Sequence, residues 1–514
     1  MSARASEPPP SAASSAQRAL SDDARALRRG AVTNGIGYAV AALQPPLLVL
    51  VVRAYGAESF GLYTAVNGLL WIALRVGLLG LDKGMLWWVA RAGPAQAASA
   101  VRASLRWVLG ASTLTALLIA GFLAPALARW ADLEGAEPTL RAMAFGLIPL
   151  SLTELLLCIG LGQRRIGTKV FVRDGLLPTS FVGAALLGHV AGLSGADGLA
   201  AAFIVSHGVS AIGAFWALRS TLPGMLSGGA ALWPPEPIPG ELVRYTRSAF
   251  GAEFVNSISQ RMDVLMVAAL TDARTLGVWA AVMQVGNVVR TIRRSFDPIV
   301  VTTFAKIGAV PERRRLVHGF SHATRWILTA QTPVLLFLIA FAAPILGLFG
   351  DGFEVGRAAL ITLSVCWLFN GLVGLNGFVV SGFGRSDWLL IDIVLGTSAQ
   401  ALSARLLVPA FGLLGAAVSV AASQTFVCLL QAWQARRVAG TWAYERRVFR
   451  VFGLSVLSIG VLGLLLAALS SLEPRSASLG AFSVSTAAFA LGLLRERRQK
   501  ARSSEPAESS PQLG

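Results

Sequence analysis

The chain is 514 residues long, with 54% hydrophobic residues, 14% charged residues, a mean hydropathy of +0.64 and a formal net charge of +17. Hiding that much apolar surface from water without a bilayer would need an implausibly large core, so a soluble globular reading is excluded. The basic excess does not imply nucleic acid, because the arginines and lysines recur in alternate connections between apolar runs, as expected for one side of a membrane protein.

The first 28 residues are Ser, Ala, Pro and charge, without the apolar core or cleavage context of a signal peptide, and 1–29 reads as a disordered cytoplasmic tail. From Gly30 to Leu494, apolar stretches follow one another with short polar connections. About fourteen are long enough to span a bilayer: 30–53, 61–80, 104–128, 140–161, 175–193, 197–219, 245–269, 275–302, 318–349, 357–382, 386–409, 412–436, 449–470 and 477–494. Transmembrane β-strands would be shorter and strictly alternating, whereas stretches such as Pro333–Ala343 are continuously apolar. The fold class expected is an all-α polytopic membrane protein.

Basic residues cluster at Arg25, Arg28 and Arg29, at Lys83, Arg91, Arg102 and Arg106, and at Arg164, Arg165, Lys169 and Arg173. They return at Arg244 and Arg247, at Lys306 and Arg313 to Arg315, at Arg436, Arg437, Arg446 and Arg447, and at Arg495, Arg497, Arg498 and Lys500. The intervening connections are acidic or nearly bare, as at Asp132, Glu134 and Glu137 or at Asp351 and Glu354. The basic connections are expected in the cytoplasm together with both termini. Cys158, Cys366 and Cys428 fall inside spans without metal-ligand spacing and read as packing residues.

The spans form two similar series. Gly61-Leu-Tyr63-Thr-Ala65 answers Gly277-Val-Trp279-Ala-Ala281, Gly160-Leu-Gly162-Gln-Arg164 answers Gly382-Phe-Gly384-Arg385, and Gly198-Leu-Ala-Ala201 answers Gly412-Leu-Leu-Gly415-Ala-Ala417. Two six-helix lobes at 30–219 and 245–437 are expected, related by a pseudo-twofold axis along the membrane normal and joined by a cytoplasmic linker at 220–244. Two extra helices at 438–494 and a cytoplasmic tail at 495–514 would follow. Such repeats commonly hold a substrate between the halves near the midplane.

This arrangement, with Asp263-Val-Leu-Met-Val-Ala-Ala-Leu270 followed by the Gly277-Val-Trp279 turn, resembles the multidrug/oligosaccharidyl-lipid/polysaccharide (MOP) exporter superfamily. Within it the chain is similar to the polysaccharide flippases of the O-antigen type. The resemblance covers nearly the whole chain. It implies a flippase of the bacterial inner membrane that moves a lipid-linked, polyprenyl-pyrophosphate oligosaccharide by alternating access, for surface polysaccharide or lipopolysaccharide assembly. It also implies contact with membrane lipids, polysaccharide polymerase or ligase machinery as candidate partners, no enzymatic activity and no cofactor.

Intramembrane charge is costly and usually faces a cavity or a partner. In the seventh span Glu253, Asn256, Ser257, Gln260 and Arg261 recur at helical spacing, with Asp263 at the edge of the same face. The eighth span repeats the pattern in Gln284, Asn287, Arg290, Thr291, Arg294 and Asp297, and Arg75 follows Asn67 by about two turns on the second span. Arginine suits a pyrophosphate because its charge persists and its planar fork binds paired oxygens, while Asn, Gln, Ser and Thr suit sugars. Arg75, Arg261, Arg290, Arg294, Asn256, Gln260 and Asn287 are therefore the expected substrate-binding set, and Arg293 points off the stripe.

Glu253, Asp263 and Asp297 are the leading candidates for ion coupling, and Glu154 and Asp392 are further carboxylates that could be proton or sodium sites; for Asp263 and Asp297, each with an arginine within one turn, structural pairing is the open alternative. Gly162-Gln-Arg-Arg-Ile-Gly167-Thr-Lys169 has Thr-Lys where a phosphate loop needs Lys before Ser/Thr, and His318 with His322 lacks further ligands, so neither ATP hydrolysis nor a metal site is expected. A cation-coupled multidrug exporter and a polytopic glycan polymerase or ligase remain the competing functions. The first would want an acidic pocket, and the second a large outward catalytic loop that the sequence lacks.

The topology has a direct test. Cysteines introduced at Gly135 and Ser471 are expected to react with an impermeant thiol reagent from outside, and one at Gly308 is not; the reverse pattern would invert the map.

Overall fold

A computed structural model describes residues 37, 40, 44–130, 135–221, 238–297, 313–440, 442, 444–469 and 474–504. Among them there are helices and no strand, as expected where hydrocarbon leaves each backbone polar group to be satisfied within its own segment. The helices are α1 Gln44–Leu78, α2 Leu81–Val89, α3 Pro94–Arg129, α4 Ala136–Ala144, α5 Leu147–Gly162, α6 Ile166–Val190, α7 Gly195–Leu218 and α8 Gly240–Leu270. After them come α9 Ala273–Ser295, α10 Arg313–Ala340, α11 Ala342–Gly347, α12 Arg357–Val373, α13 Asn376–Gly382, α14 Ser386–Ala439, α15 Arg446–Ala468 and α16 Pro474–Ser504.

Nine helices among the described residues are long and apolar enough to cross a membrane, or ten when α4 and α5, bent by 48° at their junction, count as one span. The sequence reading of about fourteen is the larger number because long helices here hold two predicted spans each and the more polar helices are not counted. Two predicted spans run together in α1 and two more in α14, each pair divided by a glycine and not by a loop. Gly56 at φ 81° and Gly412 at φ 55° take up conformations that L side chains rarely adopt. Beyond Gly412 the chain folds back on itself: Ser423 donates to the Gly396 carbonyl and Gln434 to the Asp392 carboxylate. The helices α8 and α9 fall short of the apolar threshold because of their polar stripes.

Three expectations are corrected or fall outside the described residues. The connection expected at 161–175 is mostly helix, since α6 begins at Ile166 and passes through a π-helical stretch, Val170–Leu176, which makes Arg173 a helical residue and not a loop cation. The last helix runs to Ser504, ten residues beyond the expected 494, so the tail expected from 495 begins as helix. The tail at 1–29, most of the first predicted span before Gln44 and most of the linker lie outside the described residues.

The two halves of the chain meet where α1 crosses α9. A Cβ on Gly61 would overlap the Ala273 carbonyl oxygen, and a Cβ on Gly277 would overlap the Ala57 carbonyl oxygen. Each glycine thus packs against the residue four before the other, and the two copies of one sequence motif form the contact. Close approach of this kind is how helices gain dispersion energy where no hydrophobic effect drives them together. At the same end, which the charge bias assigns to the outside, Arg53 donates to the Leu348 carbonyl across the two halves at 2.7 Å. The motif's second aromatic, Trp279, is fully buried in the core that joins α1 to α9 and α12.

Replacing Gly61 or Gly277 by Val is expected to destabilise the folded protein by about 2 kcal/mol or more, because backbone stands where the side chain must go. The melting temperature of purified protein in detergent measures it; unchanged melting for both variants would mean the contact is not closely packed.

Candidate functional site

Below the glycine crossing the halves part around a cavity of about 700 Å³. One face of α1 supplies Phe60, Tyr63, Thr64, Asn67, Trp71 and Arg75, spaced by the three- and four-residue steps of a helix stripe. From α8 come Asn256, Ser257, Gln260, Arg261 and Asp263, and from α9 Gln284, Asn287, Arg290 and Arg294. Arg173 and Phe181 of α6, Trp367 of α12 and Gln400 and Gln424 of α14 complete the polar and aromatic wall.

All seven residues expected to bind substrate line this one cavity: Arg75, Arg261, Arg290, Arg294, Asn256, Gln260 and Asn287. The three ion-coupling candidates separate. Asp263 lines the cavity, whereas Glu253 lies beside Arg75 at 3.7 Å and Lys83 at 3.5 Å, and Asp297 beside Arg293 at 3.3 Å. Arg293 also reaches the Gly374 carbonyl and does not line the cavity. Glu154 pairs with Arg173 at 3.2 Å, and Asp392 is buried elsewhere.

The arginines are held in two different ways. Arg75 donates to the Ser257 hydroxyl at 2.7 Å and to Asp82 at 3.2 Å, so much of its hydrogen-bonding capacity is already used. With Ser257 and Glu253 on α8 and Asp82 and Lys83 on α2, it joins the two halves at the arginine-rich end. Trp87 stacking on Tyr245, with centroids 4.9 Å apart, extends the same contact.

Arg261 and Arg290 make no ion pair among the described residues. Arg261 lies over the Trp71 indole at 5.2 Å and Arg290 over Trp367 at 4.8 Å. An indole face attracts a guanidinium by about 0.5–2 kcal/mol and leaves its in-plane N–H donors free for an anion. Arg173 approaches Trp71 as well, at 5.7 Å, so arginines from both halves converge on one indole. Among the described residues, five arginines and one carboxylate line the cavity. The field there favours an anion.

Sequence reasoning missed Trp71, Trp367, Tyr63, Arg173, Gln400 and Gln424. Trp71 was within reach, since it stands four residues from both Asn67 and Arg75 on the same stripe. Arg173 was hidden by the loop assignment, and the α14 glutamines have no neighbouring polar stripe to announce them. Among the described residues no cluster of three or more His, Cys, Asp or Glu side chains suits a metal ion. His318 does acquire a carboxylate from far along the chain, Glu445 at 3.0 Å.

The sequence matches the family model described as "Polysaccharide biosynthesis protein" over residues 51–354. No curated protein matches it. Among solved structures, the fold is similar to that of "Lipid II flippase MurJ, inward closed conformation", with a TM-score of 0.67, 11% identity, and coverage of 90% of this chain and 99% of that one. An inward-facing "multidrug resistance MATE family transporter of the MOP superfamily" matches with a TM-score of 0.61 and 15% identity over 77% of this chain and 94% of the other. A MOP superfamily transporter from Pyrococcus furiosus, described by the reverse polarity of its binding pocket, matches with a TM-score of 0.57 and 15% identity over 81% and 96%. At these identities the likeness is one of fold.

The tie between the halves can be measured. A double-mutant cycle of Arg75→Ala and Glu253→Ala is expected to return a stabilising coupling of about 0.5–1 kcal/mol in thermal unfolding. Strictly additive effects would mean that the two charges do not act together.

Proposed function

This chain belongs to the polysaccharide biosynthesis protein family, and on that premise we propose that it turns a lipid-linked oligosaccharide from the inner to the outer leaflet of a bacterial inner membrane. It is a multi-pass membrane protein with the MOP transporter fold. The proposed substrate is a polyprenyl-pyrophosphate glycan destined for surface polysaccharide, with lipopolysaccharide O-antigen as the leading example. Both termini lie in the cytoplasm in this reading, and polymerase or ligase machinery receives the product.

The observation that carries the proposal is the pair Arg261 and Arg290, each seated on an indole, with Asp263 as a charged neighbour of both but no close ion pair among the described residues. A pyrophosphate offers paired oxygens that two guanidinium forks can bind together, and it cannot enter hydrocarbon without such compensation. Arg294 adds a third cation at the same wall. Asn256, Gln260 and Asn287 supply amide donors and acceptors for sugar hydroxyls. Arg75 tightens around the same ligand from the first half while it ties the halves together.

Asp263 is the proposed carboxylate for ion coupling, because it faces the cavity between these cations. Glu253 and Asp297 serve as structural partners of arginine and lysine. Multidrug export is the weaker reading: a cationic drug would meet five arginines and one carboxylate.

Flipping of a lipid-linked oligosaccharide in proteoliposomes, normalised to the amount of folded protein, tests the site. Arg261→Gln and Arg290→Gln are each expected to lower the rate by about 10- to 100-fold, as loss of a hydrogen bond to a charged group would, with insertion and melting temperature retained. Lys at either position should restore only part, since it keeps charge and loses the fork. Near-normal flipping by both Gln variants would remove the proposed site, and drug efflux without flipping would favour the multidrug reading.

A further inference from the structure

Outside the cavity, the second half of the chain holds a carboxyl group that the transport reading does not use. Asp392 lies on the first arm of α14, two turns from the cavity-lining Gln400, and has 0% exposure. The second arm of the same helix covers it. Gln434, itself 5% exposed, donates from Nε2 to Asp392 Oδ1 at 2.7 Å, and the Gln431 amide lies against the same carboxyl.

The other two atoms of this pair are unsatisfied. Asp392 Oδ2 and Gln434 Oε1 are both buried, and neither has a hydrogen-bond partner. Both are acceptors, so neither can satisfy the other without a proton between them.

We propose that Asp392 and Gln434 form a proton-binding site, in which one proton on Asp392 Oδ2 donates to Gln434 Oε1 and closes a cyclic acid–amide pair. The proton completes both hydrogen-bonding deficits at once: it arrives from water by forming the Asp392 Oδ2–H bond and returns to water by breaking it, while the Gln434 Nε2 bond to Oδ1 is kept. A metal cation satisfies the pair less well, because a hard cation takes about six or more oxygen ligands and the pair offers two free oxygens, the Gln431 amide donating to the carboxyl.

No countercharge keeps the carboxylate ionised. The facing arm of α14 brings only the neutral amides of Gln434 and Gln431 to it, with Arg436 and Arg437 stacked away on Trp442 and Trp433. Next to it in sequence, Asp387 pairs with Arg385 at the exposed start of the helix. The neighbouring α13 carries no ionisable residue, and Cys366 is the one such side chain within the body of α12, where it faces the Ala421 carbonyl. No charged group of α8 bears on the carboxyl among the described residues. Separation of the arms of α14 would strip Gln434 from the acid and release the proton, which links occupancy to the shape of this half of the molecule.

The site stands apart from the pyrophosphate reading, and its test needs no glycan. Full-length protein in lipid nanodiscs is titrated through the acidic-to-neutral range and followed by infrared difference spectroscopy. A carboxylic-acid carbonyl band is expected in the wild type. It should be absent from Asp392→Asn, whose amide pairs with Gln434 as the acid does and so retains the fold, and displaced in Gln434→Met, which removes the partner amide. Should Asp392→Asn fail to fold, the comparison of wild type with Gln434→Met decides alone, since an unmoved band would show that Gln434 does not hold the proton. Spectra without any band dependent on Asp392 would overturn the proposal. So would a melting temperature raised by sodium in the wild type and unaffected by it in Asp392→Asn, which would make this a cation site.

Discussion

Gly61 and Gly277 bring two helices so close that the Cβ position of each would coincide with a carbonyl oxygen of the other. In a membrane, where apolar side chains gain little by leaving lipid for protein, such backbone proximity is a principal source of attraction between helices. The contact also fixes a geometry. With α1 and α9 pinned at one end, their polar stripes diverge toward the arginine-rich end, and α6, α8, α12 and α14 fill the sides of the space between them. A cavity lined by Arg75 from α1 and Arg290 from α9 lies beyond the two glycines.

The same low-dielectric setting explains how the arginines are kept. A guanidinium within the bilayer is costly unless something offsets its lost hydration. Around Arg75 the compensation comes from Asp82, Ser257 and Glu253, which take up part of its donors, the last two joining the halves. Around Arg261 and Arg290 it comes from indole faces, which leave the donors unspent. One residue type thus takes two roles through its neighbours: a cation among carboxylates becomes a clasp, and a cation on an aromatic face stays available to a ligand. Asp392 presents the opposite case, a carboxyl with amides for neighbours and an oxygen still to be satisfied.

The arrangement of the halves bears on how such a molecule works. The glycine crossing and the Arg53 contact hold one end, while the Arg75 and Lys83 contacts with α8 hold the other. The first is dense backbone packing and the second consists of side-chain ion pairs of modest strength, so the second is the cheaper to open. Glycine breaks at Gly56 and Gly412 divide long helices without loops, giving rigid arms joined at single residues.

Helicity, the apolar spans and the polar stripes of α8 and α9 were legible in the sequence, because hydrocarbon obliges every segment to satisfy its backbone locally and so writes the helix period into residue order. The repeated Gly-x-aromatic motif could also be read there, though only as a similarity. That its two copies touch each other was decided by the tertiary structure. So was the selection of Glu253 and Asp82 as partners for Arg75, of Trp71 and Trp367 as seats for arginines, and of Gln434 as partner for Asp392. The failure at Arg173 has the same origin: it was read as a loop cation because a π-helical stretch leaves no composition signal. Local hydrogen bonding is a property of consecutive residues and can be read from their order, whereas the partner of a buried charge is chosen by packing between segments that can stand more than a hundred residues apart.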